Sequence, residues 1–325
     1  MNITYIATDS YTSLLGISLF SLLENNKDLE ELNIYILSPD LSQKNFNAIS
    51  DLVASYHRSV TICDIADFRD HFNFDFNTSG FNNVVLARLL LTHYLPETVG
   101  SVLYLDCDVI VNGSLQGLEQ IDLTDYAFAA VPELCMPDVQ KEYIGLNSSD
   151  QYYNSGVLLI NLDYWREHHM TQQFLDYYAS VNGKLLYPDQ DILNHCCKGH
   201  ILPISHRYNL APVLHYFPRH FIKSYQPAYY CSSRRKYQDI LQHPVMIHFL
   251  GDERPWFKGN FNPYRKLYEH YKHLSPWKNE PLIAGRELYL FCYHILNCIT
   301  FICPWFRKYF TKWIGIRYYT LIKKK

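Results

Sequence analysis

The stretch SVLYLDCDVIV, Ser101–Val111, is an apolar run interrupted by two aspartates one residue apart. In extended chain, residues two apart project to the same side. Asp106 and Asp108 would then present two carboxylates together, with Cys107 turned away. Hard oxygen ligands at a strand end suit Mg²⁺ or Mn²⁺ bridging a diphosphate. Two other uses compete: one aspartate attacking a phosphate, or both closing a turn. Asp-x-Asp alone is a weak signal, and a second pair, Asp189 and Asp191, occurs in YPDQDILN. The first pair is favoured as a metal site because Asp106 ends an apolar strand.

His248 follows the apolar PVMI. An imidazole beside two carboxylates shifts the preference from Mg²⁺ to Mn²⁺. Taken alone, such a histidine reads as a hydrogen-bonded core or surface residue. Its context, HFLGDERPW, argues for more: Gly251 lets backbone approach a ligand, and Arg254 offers a cation to phosphate.

These residues need a scaffold, and the N-terminal sequence predicts one. Asn2–Thr8 reads as a strand and Tyr11–Asn26 as a helix, with leucines at helical spacing. Leu32–Ser38 is a second strand, Ser42 caps a helix reaching about Tyr56, and Ser59–Ile65 is a third strand. That alternation predicts an open, mostly parallel sheet, whose ligands sit outside the carboxyl ends of the strands. Thr8, Asp9, Ser10, Asp64 and Asp106 all fall at such ends. Further on, 67–80 reads as loop, Asn82–Pro96 as a helix, and Ser101–Val111, Tyr126–Glu133 and Tyr152–Leu162 as strands. Tyr187–Cys197 is a turn into a helix, and Pro244–Trp256 a late strand and loop. Glu133, ending its strand, is a candidate to touch an acceptor.

The chain has 325 residues, 48% hydrophobic and 19% charged, which is globular composition with room for a large core. The start, MNITYIATDS, lacks a basic segment followed by an apolar run, so no export signal is expected. The nine cysteines show no zinc spacing, so they read as reduced thiols of a cytosolic protein. The net charge is −3, yet residues 307–325 hold seven Lys and Arg with no acid, which makes the body acidic. An acidic body argues against a nucleic-acid partner. The basic end follows Leu288–Phe306, which carries no charge but contains His294, Asn297 and Pro304. Apolar and aromatic residues joined to Lys and Arg suit an anionic membrane surface better than a membrane span. A terminal helix packed on the body is the competing account. The expected division is 1–275 for the catalytic domain and 276–325 for a membrane-associating tail.

IATDSY, ARLLL, YLDCDVIV, YYNSGVLLINL, YPDQDILN and IHFLGDERPW occur in that order. Together they resemble the glycosyltransferase family 8 enzymes, which include bacterial lipopolysaccharide galactosyl- and glucosyltransferases and glycogenin. The resemblance spans about Met1 to Trp277. It implies an α/β GT-A fold, a Rossmann-like mostly parallel sheet with flanking helices, followed here by a basic-aromatic helical tail. It also implies transfer of glucose or galactose from UDP-glucose or UDP-galactose, with retention, to a cell-surface glycan. By that likeness Asp106, Asp108 and His248 would hold Mn²⁺, with Mg²⁺ the alternative. Ala7, Thr8 and Asp9 would line the uridine site with Ser10 and Tyr11 nearby, and Cys107 would sit within the donor site. Arg88, Asn154 and Ser155 would contact the donor, Asp189 and Gln190 would face the transferred sugar, and Gly251 and Arg254 would meet the phosphates. Thr8 stands where many members carry Asp, and Arg254 where many carry Lys. The expected location is cytoplasmic, peripheral on the inner face of the membrane.

Departure of UDP needs charge stabilisation, which a divalent ion and a cation supply without a protonating acid. Glycosidases instead flank the bond with two carboxyls. Gln190 is a feeble nucleophile and Asp189 better suits sugar hydroxyls, so front-face attack by the acceptor is expected. Two other functions fit parts of the pattern. A haloacid-dehalogenase-like phosphatase also places Asp-x-Asp after an apolar strand, but near the chain start. A non-catalytic, membrane-bound carbohydrate-binding protein would leave the metal site unexplained.

Overall fold

The computed structural model describes residues 1–134, 136–229, 233–310 and 313. Nine strands are present among them: β1 Asn2–Ile6, β2 Asn33–Ser38, β3 Val60–Asp64, β4 Ser101–Leu105, β5 Val109–Val111, β6 Phe128–Pro132, β7 Tyr153–Asn161, β8 Ile201–Pro203 and β9 Met246–His248. Seven form one sheet in the order β3-β2-β1-β4-β7-β6-β8, and β5 pairs with β9 separately. β1 to β4 are mutually parallel, while β7 runs antiparallel to both β4 and β6.

Alternation along the strands divides the side chains between two cores, as a sheet covered on both faces requires. Ile3, Tyr5, Ile36, Leu103 and Leu105 enter one core, with the helices Thr12–Asn25, Gln43–Ser55 and Arg265–Leu274. Ile6, Leu37, Val102 and Tyr104 enter the other, beneath the helices Met170–Ser180 and Pro188–Cys196. Ser42 caps its helix by accepting a hydrogen bond from the Asn45 amide.

The order of strands creates the site. From β1 the chain moves outward to β2 and β3, then returns to place β4 on the other side of β1. β1 and β4 therefore form a switch point, where carboxyl ends of parallel strands diverge and leave a crevice. Ala7–Tyr11 leaves β1 there, and Asp106–Asp108 leaves β4.

Two expectations need correction. Ser101–Val111 is not one strand: β4 stops at Leu105, and Val109 N–H returns to Asp106 O at 3.2 Å in a turn. Both halves are apolar, so composition hides the break. Asn82–Pro96 is a 3₁₀ segment, Asn83–Leu90, followed by a single α turn, Leu91–Tyr94. Its Val84–Val85 pair is stiff at χ1 and weakly helix-forming.

The C-terminal part contains a helix, Glu287–Ile302, and helical residues 304–310. Among the described residues no helix is long and apolar enough to cross a membrane. Of the basic end, Lys312 and residues 314–325 lie outside the described residues. Trp277 is buried against the body: a Cβ on Gly16 would fall 2.1 Å from its ring.

Candidate active site

The Asp106–Asp108 turn and β9 meet because Val109 pairs directly with His248. His248 Nε2 lies 3.2 Å from Asp108 Oδ1 and 3.7 Å from Asp106 Oδ2. The three residues offer ligand atoms all within 4.8 Å of one another. The carboxylates share a side because the chain turns, not because an extended strand alternates. Cys107 points away, its thiol against Ile6 O at 3.5 Å, and burial pushes its pKa well up.

The tautomer of His248 follows from a relay. Glu133 Oε2 accepts from Asn154 Nδ2 at 2.8 Å. Asn154 Oδ1 then accepts from Asn209 Nδ2 at 2.8 Å, and Asn209 Oδ1 lies 3.0 Å from His248 Nδ1. An ionised carboxylate only accepts, so the chain is polarised and Nδ1 carries a proton. Nε2 is left facing two carboxylates. A divalent cation, or a second proton on the ring, reconciles them. Burial opposes a charged His248, but the carboxylates of Asp108, Asp106 and Glu133 together raise the imidazole pKa. Burial likewise pushes Asp108 up, but His248, with Arg254 and a backbone hydrogen bond, brings it below the usual carboxylate range. Two oxygens and one imidazole nitrogen form a donor set that fits Mn²⁺. Space for an ion is kept by Gly156, where a Cβ would lie 2.1 Å from His248 Cε1 and 2.9 Å from Asp106 Oδ2.

Across the site stands the helix Pro188–Cys196, with Pro188 in its first turn. Asp189 accepts from Ser155 Oγ at 3.0 Å and pairs with Arg88 at 2.9 Å. Burial raises the Asp189 pKa in spite of Arg88. Gln190 Oε1 accepts from Ser155 N at 2.9 Å, and its Nε2 donates to Tyr152 OH at 3.3 Å. Asp191 turns away into the core, taking both of its contacts with Gln140 and a 2.6 Å bond from Tyr152 OH. Burial moves Asp191 up to about 6. The two Asp-x-Asp pairs are therefore unlike: both members of the first face the site, and only one of the second does.

Arg88 is buried, and its guanidinium is engaged within the protein. It donates to Val85 O, Ser155 O, Tyr104 OH and Asp106, and forms an ion pair with Asp189. It ties the β4 turn to the helix opposite, instead of presenting a free cation. Asp9 is similarly engaged. Its carboxylate accepts from Ser42 N and Asn45 Nδ2 at 2.8 and 2.7 Å, and these bonds lower its pKa. It thereby joins the β1 loop to the next helix. Thr8 and Ser10 share a 3.0 Å hydroxyl contact, Ala7 is buried, and Tyr11 is 48% exposed at the crevice. Asp64 closes a local turn through Ala66 N. Gly251 has φ +64°, a conformation that favours glycine. Arg254 Nε is buried without a hydrogen-bond partner among the described residues.

Sequence reasoning missed Gly156, Asn209 and Tyr104. Gly156 had a usable signal, because glycine within an apolar strand marks a close approach. Asn209 lies in a segment without a pattern.

A Rossmann-like sheet with paired carboxylates and a histidine at its switch point defines a GT-A glycosyltransferase. Residues 2–259 match the profile of Glycosyl transferase family 8, and the chain belongs to that family. A Haemophilus influenzae protein whose glycosyltransferase name is provisional is 31% identical over 262 residues, 79% of this chain and 73% of that one. The lipopolysaccharide 1,2-glucosyltransferase of Escherichia coli K12 is 26% identical, with 96% of this chain and 92% of that one covered. The galactosyltransferase LgtC, solved with donor and acceptor sugar analogues, superimposes with a TM-score of 0.72 at 26% identity. That alignment covers 85% of this chain and 96% of LgtC. The phosphatase and non-catalytic readings are not favoured.

Proposed function

We propose that this glycosyltransferase moves glucose or galactose from a UDP-sugar to a hydroxyl of a lipopolysaccharide or a related capsule or glycolipid precursor. The carrying observation is the group Asp106, Asp108 and His248 at the switch point, facing Asp189 and Gln190. Mn²⁺ held by those three would neutralise charge developing on the departing diphosphate. Arg254 would add a second positive charge, and Asp189 would accept from sugar hydroxyls. The names of the Escherichia coli relative and of LgtC support the substrate class.

Retention fits this geometry through front-face attack. Asp189 is held by Arg88 and Ser155, and the Gln190 amide is bonded at both ends. Neither is free to swing behind the sugar. Trapping a glycosyl adduct on Asp189 or Gln190 would overturn that mechanism.

The tail supports a peripheral membrane location. Leu288, Phe291, Ile295 and Ile302 are exposed along one face of the C-terminal helix, and Arg307 and Lys308 follow. Apolar surface flanked by cations suits an anionic bilayer.

A screen of UDP-sugars for Mn²⁺-dependent release of UDP, with no acceptor, tests the function. One donor should be turned over in preference to the others. Asp106→Asn and Asp108→Asn should each lower turnover by on the order of 10²-fold or more. Near-normal turnover in either overturns the metal assignment.

A further inference from the structure

We propose that Asp252 and Glu253 are positioning residues through which the C-terminal helix sets the donor loop between His248 and Arg254. The proposal rests on the UDP-sugar reading above and concerns how that site is held. Arg286, Tyr289, Tyr293 and Asn297 recur at three- and four-residue spacing and share one stripe of the C-terminal helix region. All four reach the loop. Arg286 Nη2 and Tyr289 OH donate to Asp252 at 3.1 and 2.7 Å. Tyr293 OH and Asn297 Nδ2 donate to Glu253 Oε1 at 2.7 and 3.0 Å. Arg307 then donates to Asn297 Oδ1 at 2.9 Å, bringing a second cation close.

Simple anchoring would not need this chemistry. Leucines at the same positions would bury apolar surface without desolvating any charge. Instead Glu253 is only 1% exposed, and its Oε2 has no partner. A buried carboxylate is costly unless donors meet it in one geometry, so the contact selects a defined seating of helix on loop. The loop backbone is held from the other side by Asn260 and Asn262, which donate to Asp252 O and Glu253 O at 2.8 and 2.7 Å.

The seating matters to the site because the loop is short and joined to it at both ends. Phe249 N–H donates to Asp108 O at 3.0 Å, directly after His248. Arg254 follows Glu253, and its charge reaches Asp108. Two carboxylates beside a phosphate-binding arginine are natural competitors for it. With Asp252 and Glu253 claimed by the helix, Arg254 forms no ion pair among the described residues. The helix thus frees one cation for the donor by occupying the two acids next to it.

The test uses the full chain at 25 °C, with thermal melting to confirm that each variant is folded. UDP with Mn²⁺ is titrated calorimetrically into the wild type, Asn297→Leu, Tyr293→Phe, Arg254→Ala and the double variant Asn297→Leu/Arg254→Ala. Asn297→Leu should weaken UDP by about tenfold, the scale of a hydrogen bond to a buried charge. Tyr293→Phe changes one hydroxyl only and serves if the leucine variant does not fold. The donor KM should rise by about the same factor while kcat stays within about twofold, as expected for lost ground-state binding. The double variant should bind no more weakly than Arg254→Ala, because the effect passes through that arginine. Unchanged affinity in folded Asn297→Leu or Tyr293→Phe, or effects that multiply in the double variant, would overturn the proposal. A wild type that binds UDP but transfers nothing would count against the transfer reading and leave this result intact. A wild type that does not bind UDP would overturn both.

Discussion

Glu133 and His248 stand at the two ends of one polarised relay, with Asn154 and Asn209 between them. A carboxylate directly after β6 thereby decides which nitrogen of a histidine on β9 faces Asp108. Partners of this kind, behind a metal ligand, typically contribute about 10–100-fold in metal affinity. Glu133→Ala and Asn209→Ala should each weaken Mn²⁺ by at least about tenfold in a direct titration, with the fold retained. Unchanged Mn²⁺ affinity in both would show that the tautomer is set some other way.

Gly156 occupies the position where a methyl group would strike His248 Cε1. Gly156→Ala should therefore displace the imidazole or the strand. Overpacking at a tight site costs about 1–3 kcal/mol, so the variant should melt several degrees lower. If His248 holds the ion as proposed, Mn²⁺ affinity should fall further than that loss in stability explains. A variant with wild-type Mn²⁺ affinity would count against His248 as part of the site.

His206 gives the fold an acid-sensitive point away from the site. Burial lowers its pKa to about 4, its Nε2 has no partner, and its ring stacks on Tyr229. The folded chain thus keeps His206 neutral where the unfolded chain, with an ordinary value near 6.5, is already protonated. In that window the unfolded state binds the extra proton, so stability rises with pH and is lost as pH falls from 6.5 towards 4. The slope from this residue should approach about 1.4 kcal/mol per pH unit. His206→Phe should flatten denaturant stability between those pH values, and an unchanged slope would assign the acid loss elsewhere.

For the tail, Leu288→Ser combined with Phe291→Ser should reduce sedimentation with anionic vesicles by at least about tenfold. Binding of the unaltered chain should weaken with salt, because the neighbouring Lys and Arg act through a screened field. Equal binding to neutral and anionic vesicles would remove the basic residues from the account.

Much of the architecture was legible because periodicity and chain order carry it. The early strand–helix alternation predicted the parallel sheet, and the strand ends predicted where the crevice lies. Asp106, Asp108 and His248 were legible as residues, but their geometry was not. A turn hidden within an apolar run brings the aspartates together, and a two-stranded pairing between segments far apart in the sequence supplies the histidine. Arg88 was expected to contact the donor, and sequence cannot show that its guanidinium is already engaged by Val85, Ser155, Tyr104, Asp106 and Asp189. The relay from Glu133 to Asn209 crosses three distant segments and has no local pattern at all.

The pairing of Val109 with His248 also fixes a schedule for the newborn chain. Asp106 and Asp108 leave the ribosome about 140 residues before the histidine that joins them. At ordinary translation speeds that interval is on the order of ten seconds. Throughout it the aspartates are present without their third member, in a nascent chain that has no β9 to pair with β5. The three-residue group can close only when nearly the whole catalytic body has been made. Assembly of the site is therefore a late event, and its completion reports that the body has been synthesised and folded around it.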